Sequence, residues 1–263
     1  MPCGGLLRNP LGMHRNMTAN AMISAAPPHA RWAVAANYLL MGLLIGAWVP
    51  HVPLAKERLD VGPGVFGLAL LAIAGGAVCA MPTAGVLINR FGSAAVTVVT
   101  GLMMCLSFLG PVTAPTLPSF ALAGFMMGIA IGSMDVAINA HGIALEKLLR
   151  RPTMSMLHGA FSIGCMIGTF TGAALLESVG ELPQALVMVL ICLAILLTAS
   201  RFLLPGTVDR GLSGTHFAWP TRATVGLGLL CLLALMIEGS MIDWAAILLR
   251  ERFAIDAGVA ALG

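Results

Sequence analysis

Seven long apolar stretches, separated by short polar segments, dominate the pattern of hydrophobic and polar residues. They cover residues 32–54, 65–88, 94–113, 117–140, 154–179, 182–204 and 224–249. A helix of about 20 residues, rising 1.5 Å per residue, crosses the roughly 30 Å hydrocarbon core of a bilayer. The short alternating strands of a membrane barrel do not occur in the sequence. The pattern therefore predicts an all-α membrane protein with seven helices, which we number spans 1 to 7.

Composition supports a lipid environment. Hydrophobic residues make up 59% of the chain and charged residues 10%, against about 45–50% and 25% in soluble domains. The net charge of +3 comes from residues scattered through short loops. They form no basic face, so we expect the lipid bilayer as a partner and no nucleic acid. Five of the six cysteines fall inside spans, so we expect no disulfide framework, metal or cofactor.

The distribution of basic residues predicts the orientation. Ten of the fourteen lysines and arginines lie on the side of the N-terminal tail, and four lie on the other side. The positive-inside rule then puts the N-terminus in the cytoplasm of a multi-pass protein of the cell membrane, the inner membrane in a bacterium. The four tryptophans, Trp32, Trp48, Trp219 and Trp244, fall near predicted span ends, where we expect them at the membrane interfaces.

A polar interruption at 205–222 separates six closely spaced spans from the seventh. Such a linker is typical of the boundary between two bundles. We therefore divide the chain into a cytoplasmic tail (1–30), a six-helix bundle (31–204), a cytoplasmic linker (205–223) and a segment that holds span 7 and begins a second bundle (224–263).

The loop between spans 2 and 3 carries a short motif made of Gly85, Asn89, Arg90 and Gly92. It resembles the cytoplasmic loop signature of the major facilitator superfamily (MFS) of transporters. Asn89 stands where that family usually has aspartate, and Ser93 stands where a basic residue is common. The loop is therefore similar to the family pattern with part of its charge removed.

Three further stretches resemble a branch of the same family, the sugar-type permeases related to fucose permease. They run over 134–141, 154–162 and 238–244. The resemblance implies twelve helices in two six-helix bundles that bind a solute between them and work by alternating access. It implies a secondary transporter of a sugar-like solute or another small metabolite, with proton coupling as one option. Export of a drug or metabolite is the nearest rival.

Seven spans are fewer than the twelve that the resemblance implies. On this ground the chain is expected to be either a fragment or the product of a truncated gene. The family cavity lies between two bundles, so the missing second half would be needed to close it. A truncated product is therefore expected to be a transport-inactive remnant.

Regularly spaced glycines mark two of the spans. In span 4, Gly124, Gly128 and Gly132 share a stripe with Asp135 and Asn139 that is 80° wide at about 100° per residue. Span 5 repeats the four-residue spacing with Gly164, Gly168 and Gly172. Glycine lets another backbone approach closely, so the pattern favours tight helix packing. The alternative interpretation is that these contacts let helices rock during transport.

Asp135 is the charged member of the span 4 stripe. It lies about five residues before the predicted end of that span, or roughly 8 Å from the cytoplasmic interface. An ion pair with Arg90 or with Arg150 and Arg151 is the favoured interpretation, and a substrate or proton site is the alternative.

Glu238 lies about fourteen residues into span 7, deep in the predicted bilayer. An unpaired carboxylate there is costly, so Glu238 is the preferred candidate for proton coupling or substrate contact, against a structural hydrogen-bonding role. Asp243 is turned by about 140° from it and is expected near the outer interface. It is the lesser candidate.

Two spans of the bundle add polar candidates. His158 in span 5 could hydrogen-bond Asn139 or Asp135, or could simply be packed. Asn37 and Tyr38 lie in span 1, which lines the cavity in the family that the chain resembles.

Two other function classes have little support. A seven-helix photoreceptor needs a buried lysine for retinal, but Lys56 and Lys147 both lie outside the predicted spans. An intramembrane hydrolase needs a catalytic motif, and the sequence has no His-Glu-x-x-His or Gly-x-Ser-x-Gly pattern. We therefore do not expect an enzyme.

Overall fold

A computed structural model describes residues 29–206 and 221–262. All regular secondary structure in these two ranges is helical. The helices are α1 (Ala30–Trp48), α2 (His51–Leu59), α3 (Pro63–Phe91), α4 (Ser93–Ser107), α5 (Leu109–Thr113), α6 (Leu117–Leu149), α7 (Met154–Val179), α8 (Glu181–Ser200), α9 (Arg222–Phe253) and α10 (Ala257–Ala261).

Seven segments of the described chain are helical, long and apolar enough to cross a bilayer, which confirms the predicted spans. Span 1 is α1, span 2 is α3, and span 3 is α4 continued by α5. Spans 4 to 7 are α6, α7, α8 and α9. The predicted tail and most of the predicted linker, 1–28 and 207–220, lie outside the described residues.

Span 1 ends earlier than its apolar run predicts. The helix stops at Trp48, and α2 begins at His51 after a turn. Pro50 causes the break, because proline has no backbone N–H to donate to the preceding turn and is tolerated at a helix start. The residues from His51 onward, which the sequence assigned partly to span 1, form a separate short helix.

Span 4 continues beyond its predicted end at Ala140 and reaches Leu149. The connection to span 5 is then short, and a carboxylate holds it. Oε2 of Glu146 accepts hydrogen bonds from the backbone N–H groups of Thr153 and Met154, at 2.7 and 3.0 Å. These donors lie at the start of span 5, where helix N–H groups lack intrahelical partners.

Spans 1 and 5 form one of two close helix pairs in the bundle. A Cβ atom on Gly164 would overlap the backbone oxygen of Leu39, and one on Gly168 would overlap that of Leu43. Span 1 contributes Gly42 in the same way, because a Cβ there would overlap the backbone oxygen of Phe161. Gly172 ends the row, with an added Cβ 3.1 Å from the Cα of Ala47.

Spans 2 and 4 form the second close pair. A Cβ on Gly128 would overlap the backbone oxygen of Ile73, and one on Gly132 would lie 2.7 Å from the Cα of Ala77. Gly124 faces the side chain of Ile73, at 3.0 Å from its Cγ1 to an added Cβ. In both pairs backbone meets backbone, a contact that larger side chains would prevent.

Trp48 is a core residue, which corrects its predicted place at the interface. It is 5% exposed and stacks on Phe120, with ring centroids 6.3 Å apart. Its Nε1 has no hydrogen-bond partner among the described residues. The early end of span 1 is the reason, because α2 covers the indole where solvent was expected. Trp219 lies outside the described residues.

Candidate functional site

A cavity of about 420 Å³ lies between the six-span bundle and span 7. Spans 1, 2, 4, 5 and 7 contribute its walls, which are mostly apolar. Its titratable lining residues are Tyr38, Asp135, His158 and Glu238. Four of the predicted candidates, from four different spans, therefore meet at one cavity.

A chain of hydrogen bonds crosses from span 1 to span 4 beside this cavity. The hydroxyl of Tyr38 donates to Oδ1 of Asn139 at 3.0 Å. Nδ2 of Asn139 donates to the backbone oxygen of Asp135 at 2.9 Å and to its carboxylate Oδ1 at 3.0 Å. The last two contacts follow from the four-residue separation, which places both side chains on one helix face.

His158 packs against Tyr38 in the structure. Its ring meets the ring of Tyr38 edge to face, with centroids 5.4 Å apart. Within the described residues Asn139 takes its hydrogen bond from Tyr38 and makes none with His158. Tyr38, and not His158, is therefore the described hydrogen-bond donor to Asn139 from another span.

Asp135 lies in the middle of its helix rather than near an end. Because span 4 continues to Leu149, Asp135 is fourteen residues, or about 21 Å, from that end. The predicted ion pair is absent from the described residues: no basic side chain lies within 4 Å of this carboxylate. Arg90 instead lies over the ring of Phe91, at 5.1 Å. The ion-pair interpretation of Asp135 is therefore wrong.

Glu238 and Asp243, the two candidate carboxylates of span 7, line different cavities. Glu238 is sixteen residues after Arg222, near the middle of its helix, and lines the cavity of Asp135. Asp243 lines a neighbouring cavity of about 400 Å³ together with Trp48 and apolar residues. Asp243 is half-buried in the described structure.

Asn37 faces away from the cavity. Its side chain is fully buried, and Nδ2 donates to the backbone oxygen of Ala33 at 2.8 Å. Oδ1 has no hydrogen-bond partner among the described residues. Of the two neighbouring polar residues in span 1, only Tyr38 lines the cavity, because successive helical residues are turned by about 100°.

Of the four residues in the loop motif, only Gly92 lies between two helices, α3 and α4. Its φ is +85°, and a Cβ there would lie 2.6 Å from the backbone oxygen of Gly206, beyond span 6. Both the backbone conformation and the close approach require glycine. Gly85, in contrast, has open space around it. Oδ1 of Asn89 is buried without a described partner.

His141 connects three spans near the same loop, a role that sequence reasoning missed. Its Nε2 accepts a hydrogen bond from the backbone N–H of Leu204 at 3.1 Å. Its Nδ1 lies 2.6 Å from the hydroxyl of Ser93 at the start of span 3. Because Nε2 accepts, the proton of the neutral ring is on Nδ1 and points to Ser93. The sequence offered no signal beyond a polar residue in an apolar span.

A polar cluster at the opposite end of the bundle joins α2 to spans 3 and 6. The guanidinium of Arg58 donates to Glu181 at 2.7 Å and to the backbone oxygens of Ala114 and Pro111, at 3.1 and 2.9 Å. His51 is buried, with Nε2 2.6 Å from Oε1 of Gln184. α2 packs against the bundle and buries this imidazole.

Three curated proteins are similar to most of the chain. An uncharacterized MFS-type transporter of Yersinia pestis is 34% identical over 227 residues, 86% of this chain and 59% of that protein. An uncharacterized transporter of Sinorhizobium fredii is 31% identical over 234 residues, 88% of this chain and 62% of that protein. Membrane protein MosC of Rhizobium meliloti is 28% identical over 240 residues, with coverages of 88% and 56%.

No protein-family profile matches the chain. The chain spans about three-fifths of the length of the relatives above. Two of the three are named as transporters and the third as a membrane protein, and the seven apolar helices of this chain are long enough to cross a bilayer. The chain is therefore a multi-pass, all-α membrane protein whose homologues include an MFS-type transporter.

Proposed function

We propose that this chain is part of an MFS secondary transporter that moves a small solute by alternating access. In this proposal residues 31–204 are the first six-helix bundle, and span 7 is the first helix of a second bundle that would complete the cavity. The loop motif and the similarity to the relatives support the family. Alternating access needs a site between two bundles that rock against each other.

The observation that carries the proposal is the cavity shared by the bundle and span 7. Asp135 of span 4 and Glu238 of span 7 line it together. Carboxylates at membrane depth are costly, and they are retained where they contact solute, ions or protons. Asp135 and Glu238 are thus the groups that we assign to solute contact or proton coupling, with His158 beside them.

The proposed solute is a sugar-like compound or another small metabolite, with H⁺ as the coupling ion. The likeness to sugar-type permeases supports a sugar-like solute. The two carboxyl groups in the described lining support H⁺ as the coupling ion, because a carboxyl group can bind and release a proton. The excess of basic residues on one side supports a cytoplasmic N-terminus in the cell membrane.

Untargeted mass spectrometry tests the transport function without a known solute. Cells that express the gene encoding this chain are compared with cells that express its Glu238→Gln or Asp135→Asn variant, both in solute content and in the medium. We expect at least one solute to differ between wild type and both variants. Accumulation in the cells would mean import, and accumulation in the medium would mean export.

Asp60→Asn is the matched control, because Asp60 is exposed at the end of α2 and its left-handed conformation suits asparagine. It should leave the solute profile as in wild type. Identical profiles in wild type, Glu238→Gln and Asp135→Asn, at equal amounts of folded protein, would contradict the proposal. With the solute identified, acidification inside proteoliposomes on its addition tests the proton coupling.

A further inference from the structure

We propose that Tyr38 and Asn139 are positioning residues that couple the protonation state of Asp135 to the contact between spans 1 and 4. The inference deepens the proposed function, because it assigns a coupling route to the same cavity. It rests on the hydrogen-bond chain from the Tyr38 hydroxyl through the Asn139 amide to the Asp135 carboxylate.

The directions of these hydrogen bonds are set by the atoms available. Both N–H groups of the Asn139 amide are used, one for the backbone oxygen of Asp135 and one for its carboxylate. The reversed amide would bring its oxygen against two oxygens of Asp135, which cannot donate when the carboxylate is ionised. Oδ1 of Asn139 is therefore the acceptor, and the Tyr38 hydroxyl is its donor.

Protonation of Asp135 changes the hydrogen bonds that connect it to Tyr38. The bond from Asn139 to an ionised carboxylate is charge-assisted, and such bonds are roughly twice as strong as neutral ones. A proton on Oδ1 of Asp135 would also lie against the N–H of Asn139. This hydrogen bond would then weaken, or the amide of Asn139 would turn. Either response alters the acceptor of the Tyr38 hydroxyl, and because this residue is only 1% exposed, the loss of its partner is costly.

The groups that face Asp135 come from every element around the cavity. Span 1 contributes Tyr38, span 5 contributes His158, and span 7 contributes Glu238. Span 2 contributes only Ala77 and Met81 to the described lining, neither of which titrates. His158 also contacts the Tyr38 ring. A test that uses Tyr38 as the reporter must therefore distinguish the effect of Asp135 from that of His158.

Tyr38 is the only tyrosine of the chain, which makes the proposal directly measurable. Protein labelled with 3-fluorotyrosine, in lipid nanodiscs, has one ¹⁹F resonance. We expect its chemical shift to change sigmoidally between about pH 4 and pH 8, where carboxyl and imidazole groups titrate. The Asp135→Asn variant should lose the titration, and the Asn139→Leu variant should lose it although Asp135 is retained.

Control variants separate the sources of the signal. The titration should persist in His158→Gln and in Glu238→Gln. A titration that vanishes in His158→Gln and persists in Asp135→Asn would overturn the proposal, as would a resonance of folded wild-type protein that does not titrate. If Asn139→Leu does not fold, Asn139→Ala takes its place. The measurement needs no solute flux, so its failure and the failure of the transport proposal are distinguishable.

Discussion

Arg250, near the end of span 7, donates two hydrogen bonds to the carboxylate of Glu57 in α2. The distances are 2.5 Å from Nε to Oε1 and 2.7 Å from Nη2 to Oε2. The neighbouring residues form a pair of reversed polarity, with Nζ of Lys56 2.5 Å from Oε1 of Glu251. Two crossed ion pairs therefore connect α2 with span 7 at one end of the bundle.

Reversing one charge of this contact should weaken it, and reversing both should restore it. We expect Arg250→Glu and Glu57→Arg each to lower the thermal unfolding temperature in nanodiscs, because each puts like charges together. The double variant should recover most of the loss. Exposed pairs contribute roughly 0.2–1 kcal/mol, and the coupling should shrink in about 1 M salt, where the Debye length is about 3 Å. Additive single effects would show that the pair does not interact.

Two adjacent glycines of span 2 allow a matched test of helix packing. A Cβ on Gly76 would overlap the backbone oxygen of Phe125 in span 4, whereas one on Gly75 meets nothing within 4 Å. We expect Gly76→Ala to lower the free energy of unfolding by about 1–3 kcal/mol through overpacking. Gly75→Ala should be neutral or stabilising by up to about 1 kcal/mol. Equal effects in thermal unfolding would refute the close contact.

The three contacts of Arg58 require a planar, multiply donating group. Lysine can carry the charge to Glu181 but cannot also reach the backbone oxygens of Ala114 and Pro111 in one geometry. We therefore expect Arg58→Lys to lower the free energy of unfolding by about 1–3 kcal/mol. Arg252→Lys, at an exposed position, is the control. Wild-type stability of Arg58→Lys would mean that charge alone matters there.

The acceptor role of His141 predicts different effects for two substitutions. His141→Leu removes the acceptor for the buried N–H of Leu204, which should cost about 1–3 kcal/mol of unfolding free energy. His141→Gln should lose less, because its side-chain oxygen can replace Nε2 as the acceptor. His158→Gln, at an exposed ring, should change thermal unfolding little. If leucine and glutamine have the same effect, the hydrogen bond to Leu204 is not the cause.

Span positions were predictable because transfer of apolar side chains into lipid depends on composition over about 20 residues. Helix ends were less predictable. Span 4 runs on to Leu149 because Glu146 holds the connection after it, and span 1 stops at Trp48 because the chain turns at Pro50. Neither effect changes the apolar pattern much. The sequence alone therefore predicted too early an end for span 4 and too late an end for span 1.

The candidate site was predictable in its residue types and only partly in its arrangement. Asp135 and Asn139 share a face because helical spacing places them there, and that relationship needs no tertiary information. The hydrogen-bond partner of Asn139 in span 1 was not predictable in this way. Tyr38 is separated from it by about a hundred residues, and the close packing of helices selected it in place of His158.

The sequence by itself determined the seven helices, the glycine spacing and the residues that must avoid lipid, because these depend on local periodicity and on solvent. Only the tertiary structure decided that Tyr38 rather than Asn37 faces the cavity, that Glu238 and Asp135 line the same one, and that His51 and Trp48 are buried. Such contacts depend on how rotated helices meet in three dimensions, and no spacing along one helix specifies the rotation of its neighbour.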